Sequence, residues 1–465
     1  MKKEVETVAN CNGSDGSVGS SCTPIQNGET VTNCHALDFH ENSVKLKDSG
    51  IPWIGAIPEH WNASKIGQLY DNRYERVSDK DFEPLSVTMQ GILPQLETAA
   101  KTDDGDNRKL VKKGDFAINS RSDRRGSCGI SPQDGSVSLI NLILAPRTSM
   151  NADYYNWLFH TSLFADEFYS WGHGIVADLW TTRWQEMKNI AIPVPPLEEQ
   201  ERIAAWLDGK CGEIDELIDV EQQMISELEA YRQAVITEAV AHGLNPNVPT
   251  KSTNVVWYPQ IPSHWELITV RGLSKGFRKG NGITKDDLAS DGDIYCIRYG
   301  DLYTKYKHYV TDIVCKTNEA KISPAIKAEY GDIYFTCSGE DIDAIGKSIA
   351  FLSNVRCLVG GDLIIMKHHQ NPKFLGYSLD SQISQKQKSV GKSKLKVVHT
   401  SVKELKNVII PLPPFSEQQE IADYLDSKCA EIDALIKVKQ EKIDTLKQYR
   451  QSLIFEAVTG KTSIN

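Results

Sequence analysis

The chain has 465 residues, 40% of them hydrophobic and 25% charged, with a formal net charge of −10. That length allows several domains, each with its own core, and the composition is not that of a disordered or fibrous chain. No apolar run approaches the ~18 residues of a membrane span, no apolar segment of a signal peptide follows the two opening lysines, and ten scattered cysteines without a CxxC pair favour reduced thiols in a cytoplasm.

Residues 1–45 are rich in Gly, Ser, Asn and Thr, and read as a disordered polar tail that cannot bury a core. Its Cys11, Cys22, Cys34, His35 and His40 match no standard zinc spacing. A first interior follows over residues 46–192, opening on Trp53, Ile57-Pro58 and His60-Trp61. Its Gly114-Asp115 turn feeds the apolar Ala117-Ile118, and Leu139 to Leu144 is a second short apolar run; both read as strands. Asp153 to Phe168 carries helical apolar spacing through Tyr154, Trp157, Leu158 and Phe164.

Next comes the run Ile192-Pro193-Val194-Pro195-Pro196-Leu197-Glu198-Glu199-Gln200, which opens a long helical pattern over residues 193–243. A proline pair suits a first turn, and the glutamates face the positive end of the helix dipole. From Glu198 to His242 the pattern runs 45 residues, or about 67 Å of helix, a length that suits a coiled coil. Gly209 and Gly212 each weaken it by roughly 1 kcal/mol against alanine, but the heptad phase continues across them. Gly243 stands at the expected stop.

The pattern then repeats. After a linker at 244–255, Trp257, Ile261-Pro262 and His264-Trp265 reopen the frame, and Gly331-Asp332 parallels Gly114-Asp115. Asp362 to Met366 reads as a further strand of a second α/β interior over residues 244–410. Ile410-Pro411-Leu412-Pro413-Pro414-Phe415-Ser416-Glu417-Gln418 then opens a second long helix over 411–460, with Ser416 and Gln419 spaced as a capping box. Between the two helices one offset of 218 residues holds for over forty positions, from Leu207-Asp208 and Leu425-Asp426 to Glu238-Ala239-Val240 and Glu456-Ala457-Val458.

The helical heptads place Ile203, Leu217, Met224 and Tyr231 in one row and Leu207, Ile214, Leu228 and Val235 in the other. Ile421, Leu435 and Tyr449, beside Leu425, Ile432 and Leu446, repeat them. The expected architecture is therefore two α/β (α+β) interiors in tandem, separated by two long helices paired as an antiparallel coiled coil. Under a pseudo-twofold, equivalent mid-helix residues meet at the axis, which predicts a Glu221–Lys439 contact; two rim charges in solvent are the alternative.

Charge is unevenly divided. Residues 197–240 hold 12 acidic and 3 basic side chains, a net −9, and residues 415–460 hold 9 and 6, a net −3. Residues 251–410 hold 23 basic and 16 acidic, a net +7, which is basic enough to approach phosphate. Catalytic signatures are missing: Gly346-Lys347-Ser348 lacks the leading glycine of a phosphate loop, and there is no GxSxG or HExxH. Binding features are better supported. Arg121, Arg124 and Arg125 share a loop after a strand, where arginine forks suit guanine edges or phosphates, and a solvated turn fits as well. His173 follows on Gly-His-Gly within a tryptophan-rich stretch. In the basic half Lys275, Arg278 and Lys279 form one glycine-broken run and Lys386, Lys388, Lys392, Lys394 and Lys396 another, with Lys347 between them.

A doubled Pro-Pro-x-x-Glu-Gln-x-x-Ile-Ala opening, with Ile-Pro-x-His-Trp at the start of each half, closely resembles the specificity subunit of type I restriction–modification systems over residues ~46–460. The resemblance implies a non-catalytic subunit in which each interior is a target recognition domain for one half of a bipartite double-stranded DNA site. It implies that the helices set the spacer and dock two modification subunits, which bind S-adenosylmethionine and methylate adenine. It further implies restriction subunits that use ATP and magnesium, and no cofactor or metal in this subunit itself. A stand-alone DNA-binding regulator and a purely structural coiled-coil scaffold are the alternatives; salt-dependent DNA binding separates the last from the others.

Overall fold

The structure is a computed structural model, and it describes residues 45–95, 105–174, 180–322, 324–339, 342, 345–392 and 398–464. The polar tail, with its cysteines and histidines, lies outside the described residues.

The two interiors share one frame. In the first, strands β1 (Tyr70–Asn72), β2 (Phe116–Asn119), β3 (Cys128–Ile130) and β4 (Asn141–Pro146) form an antiparallel sheet in the order β3-β2-β4-β1. Helices α1 (Ala152–Phe159) and α2 (Ser162–Ser170) follow it. The single helix expected over 153–168 is thus two. Thr161 breaks it, because its hydroxyl accepts from Phe164 N at 3.2 Å and caps the second piece. After the long helix α3 (Leu197–His242), the second interior has β5 (Gly276–Lys279), β6 (Tyr309–Val310), β7 (Ile333–Thr336), β8 (Ser348–Phe351) and β9 (Leu363–Lys367), in the order β5-β9-β7-β8-β6. Only β6 runs parallel to its neighbour β8. Helices α4 (Pro372–Asp380) and α5 (Gln382–Ser389) follow, then the long helix α6 (Phe415–Val458).

The turns match as well as the strands. Gly114 and Gly331 take φ of +87° and +88°, a region that costs glycine little. The following aspartates, both buried, accept from Lys112 N at 2.9 Å and Glu329 N at 3.2 Å. Residues 244–255, expected as a linker, contribute a strand, Thr250–Ser252, that pairs with Gln260–Pro262, as Leu46–Ile51 pairs with Gly55–Pro58.

The Pro-Pro-x-x-Glu-Gln signature is a pair of latches. Glu199 takes the indole Nε1 of Trp61 at 2.8 Å and meets His60 Nε2 at 2.7 Å; Glu417 does the same for Trp265 at 3.0 Å and His264 at 2.8 Å. Gln200 and Gln418 are buried at the same depth. Each donates to the carbonyl of its own run, Pro195 at 2.9 Å or Pro413 at 2.8 Å, and accepts from the backbone N of the helix-capping asparagine, Asn151 or Asn371. Glu and Gln thus tie the start of each half, the cap of its short helix and its long helix together. The Ser416–Gln419 capping box does not form. Pro414 is the N-cap residue, so Ser416 lies inside the helix, and Gln419 accepts from Asn371 Nδ2 instead.

α3 and α6 have 46 and 44 residues and pack together, rods of about 69 and 66 Å. They run antiparallel, and this exchanges their ends between domains. The first core takes Ile203, Ala204, Leu207 and Cys211 from the start of α3 and Ile454, Ala457 and Val458 from the end of α6. The second takes Ile421, Ala422, Leu425 and Cys429 from the start of α6 and Ile236, Ala239, Val240 and Ala241 from the end of α3. At mid-rod the Glu221 carboxylate lies 3.0 Å from Lys439 Nζ, as the pseudo-twofold requires, and 2.6 Å from Lys442. Those two ammonium groups, Lys442 foremost, hold it below the usual carboxylate range. About two to three turns outward on each side stand symmetric pairs, Arg232–Asp433 at 2.7 Å and Arg450–Asp215 at 3.0 Å.

One expected heptad row is corrected. Leu217, Tyr231, Leu435 and Tyr449 are 48, 57, 52 and 55% exposed and lie outside the buried seam. The seam is built of Ile214, Ile218, Ile443 and Leu453, with Ile225 and Leu446 against them; Ile432 is buried in line with it and Leu228 is half-buried. Ile203, Leu207 and Cys211 are spaced by four residues, because there α3 lies on the first domain. The heptad begins only at Cys211, so the row runs Cys211, Ile218, Ile225, one residue out of the expected phase.

Three glycines test this arrangement, with opposite signs. Gly460 ends α6 at φ +69°, and a Cβ there would meet Pro58 at 2.4 Å and Trp61 at 2.9 Å. Gly460→Ala should therefore cost about 1–3 kcal/mol in denaturant unfolding. Gly209 and Gly212 are exposed in mid-helix with nothing within 4 Å of a built Cβ. Gly209→Ala and Gly212→Ala should each stabilise by up to about 1 kcal/mol.

Candidate nucleic-acid interface

The polar candidates of each domain fall in several separate places. In the first, the loop from β2 to β3 carries Arg121, Arg124 and Arg125, all exposed. Arg124 lies 3.8 Å from Asp123, and Arg125 is ion-paired with Asp166. The backbone of Arg121 bridges to Thr181, and His173 bridges to the same residue, its ring 4.0 Å from Glu186. The loop and the segment before the domain's last short helix therefore form one lip, tied by Thr182 N donating to Ser120 O at 3.0 Å.

Lys109, which the sequence reading passed over, stands beside them. It sits in the strand Arg108–Val111, buried, with its ammonium donating to Asn141 O at 2.6 Å and lying 5.0 Å from the Tyr74 ring. Burial first, and Arg76 next, pull its pKa down to about 8. Lys109, Arg121 and Arg183 line one cleft of about 300 Å³.

The second domain has the same tie, Thr400 N donating to Cys337 O at 2.8 Å. The residues standing where Arg121 and Thr181 stand are Ser338 and His399, hydrogen-bonded to each other at 3.0 Å. Lys275 and Lys279 are exposed on and beside the edge strand β5. Arg278 is held by Glu329, which Lys367 also meets. Lys347 lies 3.6 Å from Asp380, and Lys386 is exposed beside them on α5. Lys394 and Lys396 lie outside the described residues.

Two of the interleaved lysines do not face solvent. Lys392 donates to His399 O at 2.6 Å and pairs with Glu404. Lys388, expected on a nucleic-acid face, is only 4% exposed. Its ammonium reaches Gly346 O at 2.6 Å, Leu379 O at 2.8 Å and Ser348 Oγ at 3.0 Å, three acceptors for three donors. Lys388 holds the end of α4 to the loop before β8 and is withdrawn from any ligand. Nearby Asp380 is buried too. Burial opposes its charge, but Lys347 and His308 hold it below the usual range.

Burial pulls the Lys388 pKa down to about 7 against an ordinary 10.5, with Asp380 opposing. Between those values the unfolded chain binds a proton that the folded chain does not, so this group makes stability rise with pH across the window. Denaturant unfolding from pH 7 to 10 should show a shallower rise of stability with pH in Lys388→Met than in the wild type, with nucleic-acid affinity unchanged.

Comparison with known proteins agrees with this geometry. The chain matches the family model described as Type I restriction modification DNA specificity domain twice, over residues 58–230 and 262–448. It is 24% identical over 285 residues to the type I restriction enzyme MjaVIII specificity subunit of Methanocaldococcus jannaschii, covering 60% of this chain and 63% of that protein. It is 26% identical over 304 residues to the type I restriction enzyme EcoBI specificity subunit of Escherichia coli, covering 59% of each. The chain thus spans less than two thirds of the length of these curated relatives. A chain solved in work on complex assembly and conformational transition of the type I R-M system shares the fold at a TM-score of 0.64 and 17% identity, over 87% of this chain and 99% of its own. With both halves matched, each over an interior and most of the long helix that follows it, the chain belongs to the Type I restriction modification DNA specificity domain family.

Proposed function

We propose that this chain is the DNA sequence-recognition subunit of a type I restriction–modification complex, each domain reading one half of a bipartite duplex site. The observation that carries it is the pairing of equivalent frames with unlike lips, Arg121 and Thr181 in one and Ser338 and His399 in the other. Equal frames give equivalent presentation to two segments of duplex; unlike lips let the half-sites differ. His173, Lys275, Arg278, Lys279, Lys347 and Lys386 are further contacts in this reading, while Arg124 and Arg125, each held by an aspartate, are not counted among them.

The rods fix the separation, and their acid-rich surfaces repel phosphate and suit protein partners. Leu217, Val220, Met224 and Tyr231 leave an apolar row exposed on α3, matched by Leu435, Val438 and Tyr449 on α6. Two such rows fit two modification subunits, which would supply S-adenosylmethionine-dependent adenine methylation. Restriction subunits with ATP and magnesium would join them. The proposal assigns the chemistry to those partners and none to this chain.

Co-expression with the modification subunit, followed by methylation mapping, should return a two-part motif. A regulator acting alone would bind its site without that partner. Because the rods interlock at three ion-pair sites, a length change has to be made in both. Seven residues added at the middle of α3 and of α6 lengthen the pair by about 10.5 Å. The mapped spacer should grow by about 3 base pairs at ~3.4 Å each, with both half-sites kept; an altered half-site sinks the ruler. Leu217→Glu with Val220→Glu should remove one modification subunit of the two, read as complex mass by light scattering.

A further inference from the structure

The cleft lined by Lys109, Arg121 and Arg183 is a basic feature of the first domain, and no acidic side chain lines it. Among the described residues none of the three side chains makes an ion pair, the Glu186 carboxylate meeting Arg183 only at its backbone N, whereas Arg124 and Arg125 each have one. Its walls are fixed. Ser120 Oγ donates to Ile140 O at 2.5 Å, Thr182 N to Ser120 O, and Arg121 is bridged to Thr181. Three chain segments far apart in sequence are thereby held as one rim, with two exposed guanidinium groups on it and a buried ammonium at its side.

We infer that this cleft, rather than the tip of the Arg124–Arg125 loop, seats a phosphodiester segment of the duplex and sets the register of the first domain on its half-site. The inference rests on the DNA-recognition reading above. The physical reason is counterion release. A cation already neutralised by aspartate displaces few ions from DNA, while an unpaired one on a rigid backbone releases about 0.9 ion per phosphate met. Arginine forks also grip phosphate through paired N–H donors. The second domain has the Ser338–His399 pair, with no arginine, at the equivalent place. Its anchoring then falls on other groups, and the two half-sites are held with unequal electrostatic strength.

The test uses the assembled complex with its modification subunits and a fluorescent duplex carrying the bipartite motif recovered by methylation mapping. Arg121→Gln with Arg183→Gln should weaken binding at least tenfold and lower the slope of log affinity against log salt by about 1.8. Arg124→Gln with Arg125→Gln should change affinity by no more than about twofold. Thermal melts and complex mass establish that both variants fold and assemble. An unchanged salt slope in the first variant, or a loss carried by the second, overturns the assignment. A wild-type complex that binds no duplex overturns the DNA-recognition reading itself, so the two failures are told apart.

Discussion

Each domain core is closed by helix ends that arrive from opposite directions along the rods. Ile454, Ala457 and Val458 of α6 complete the first core, and Tyr154 donates its hydroxyl to Val458 O at 2.8 Å. Burying a valine or isoleucine side chain contributes about 1.5–3 kcal/mol, so the visiting helix end supplies on the order of 3–6 kcal/mol. That is a large part of the ~5–15 kcal/mol that holds a typical domain folded. Rods and domains are one cooperative object: neither domain keeps its core if the helix pair slips or opens.

The polar contacts along the rods serve alignment more than stability. Exposed ion pairs contribute little, and a buried one seldom repays its desolvation. Glu221 with Lys439 and Lys442, Arg232 with Asp433, and Arg450 with Asp215 are nevertheless placed so that a shift by one heptad breaks all of them together. That is the use of polar core positions with the best physical warrant, the choice of one register among several apolar ones. The latches at Glu199 and Glu417 do the same for the domains. They fix the angle at which each globule leaves its rod, and with it the geometry offered to a ligand.

Much of this was legible in the chain because it is written twice. The 218-residue offset identifies the axis, and from the axis follow the antiparallel pairing and the Glu221–Lys439 contact. The faulty heptad row has a clear cause. Seven residues past Ile203 stands Lys210, while Cys211 is the buried position, and a four-residue step where the helix meets a globule looks like noise in a heptad count. Lys388 was illegible for another reason. Its acceptors on Gly346 and Ser348 lie 42 and 40 residues away, and a lysine among lysines carries no local sign of burial. The basic cleft was missed likewise, since Lys109, Arg121 and Arg183 belong to separate elements and meet only in the fold.

The exchange of helix ends also sets an order of events during synthesis. Tyr154 and its partner at Val458 are 304 residues apart. At roughly 5–20 residues per second, a ribosome needs about 15–60 s to travel between them. Through most of that interval the N-terminal globule has its strands but lacks the last wall of its interior. The usual sequence, in which the leading domain folds before its successor emerges, does not apply to this chain. The second globule, whose core uses only the start of the last helix, has all its parts first; the leading globule waits for that helix's C-terminal turn.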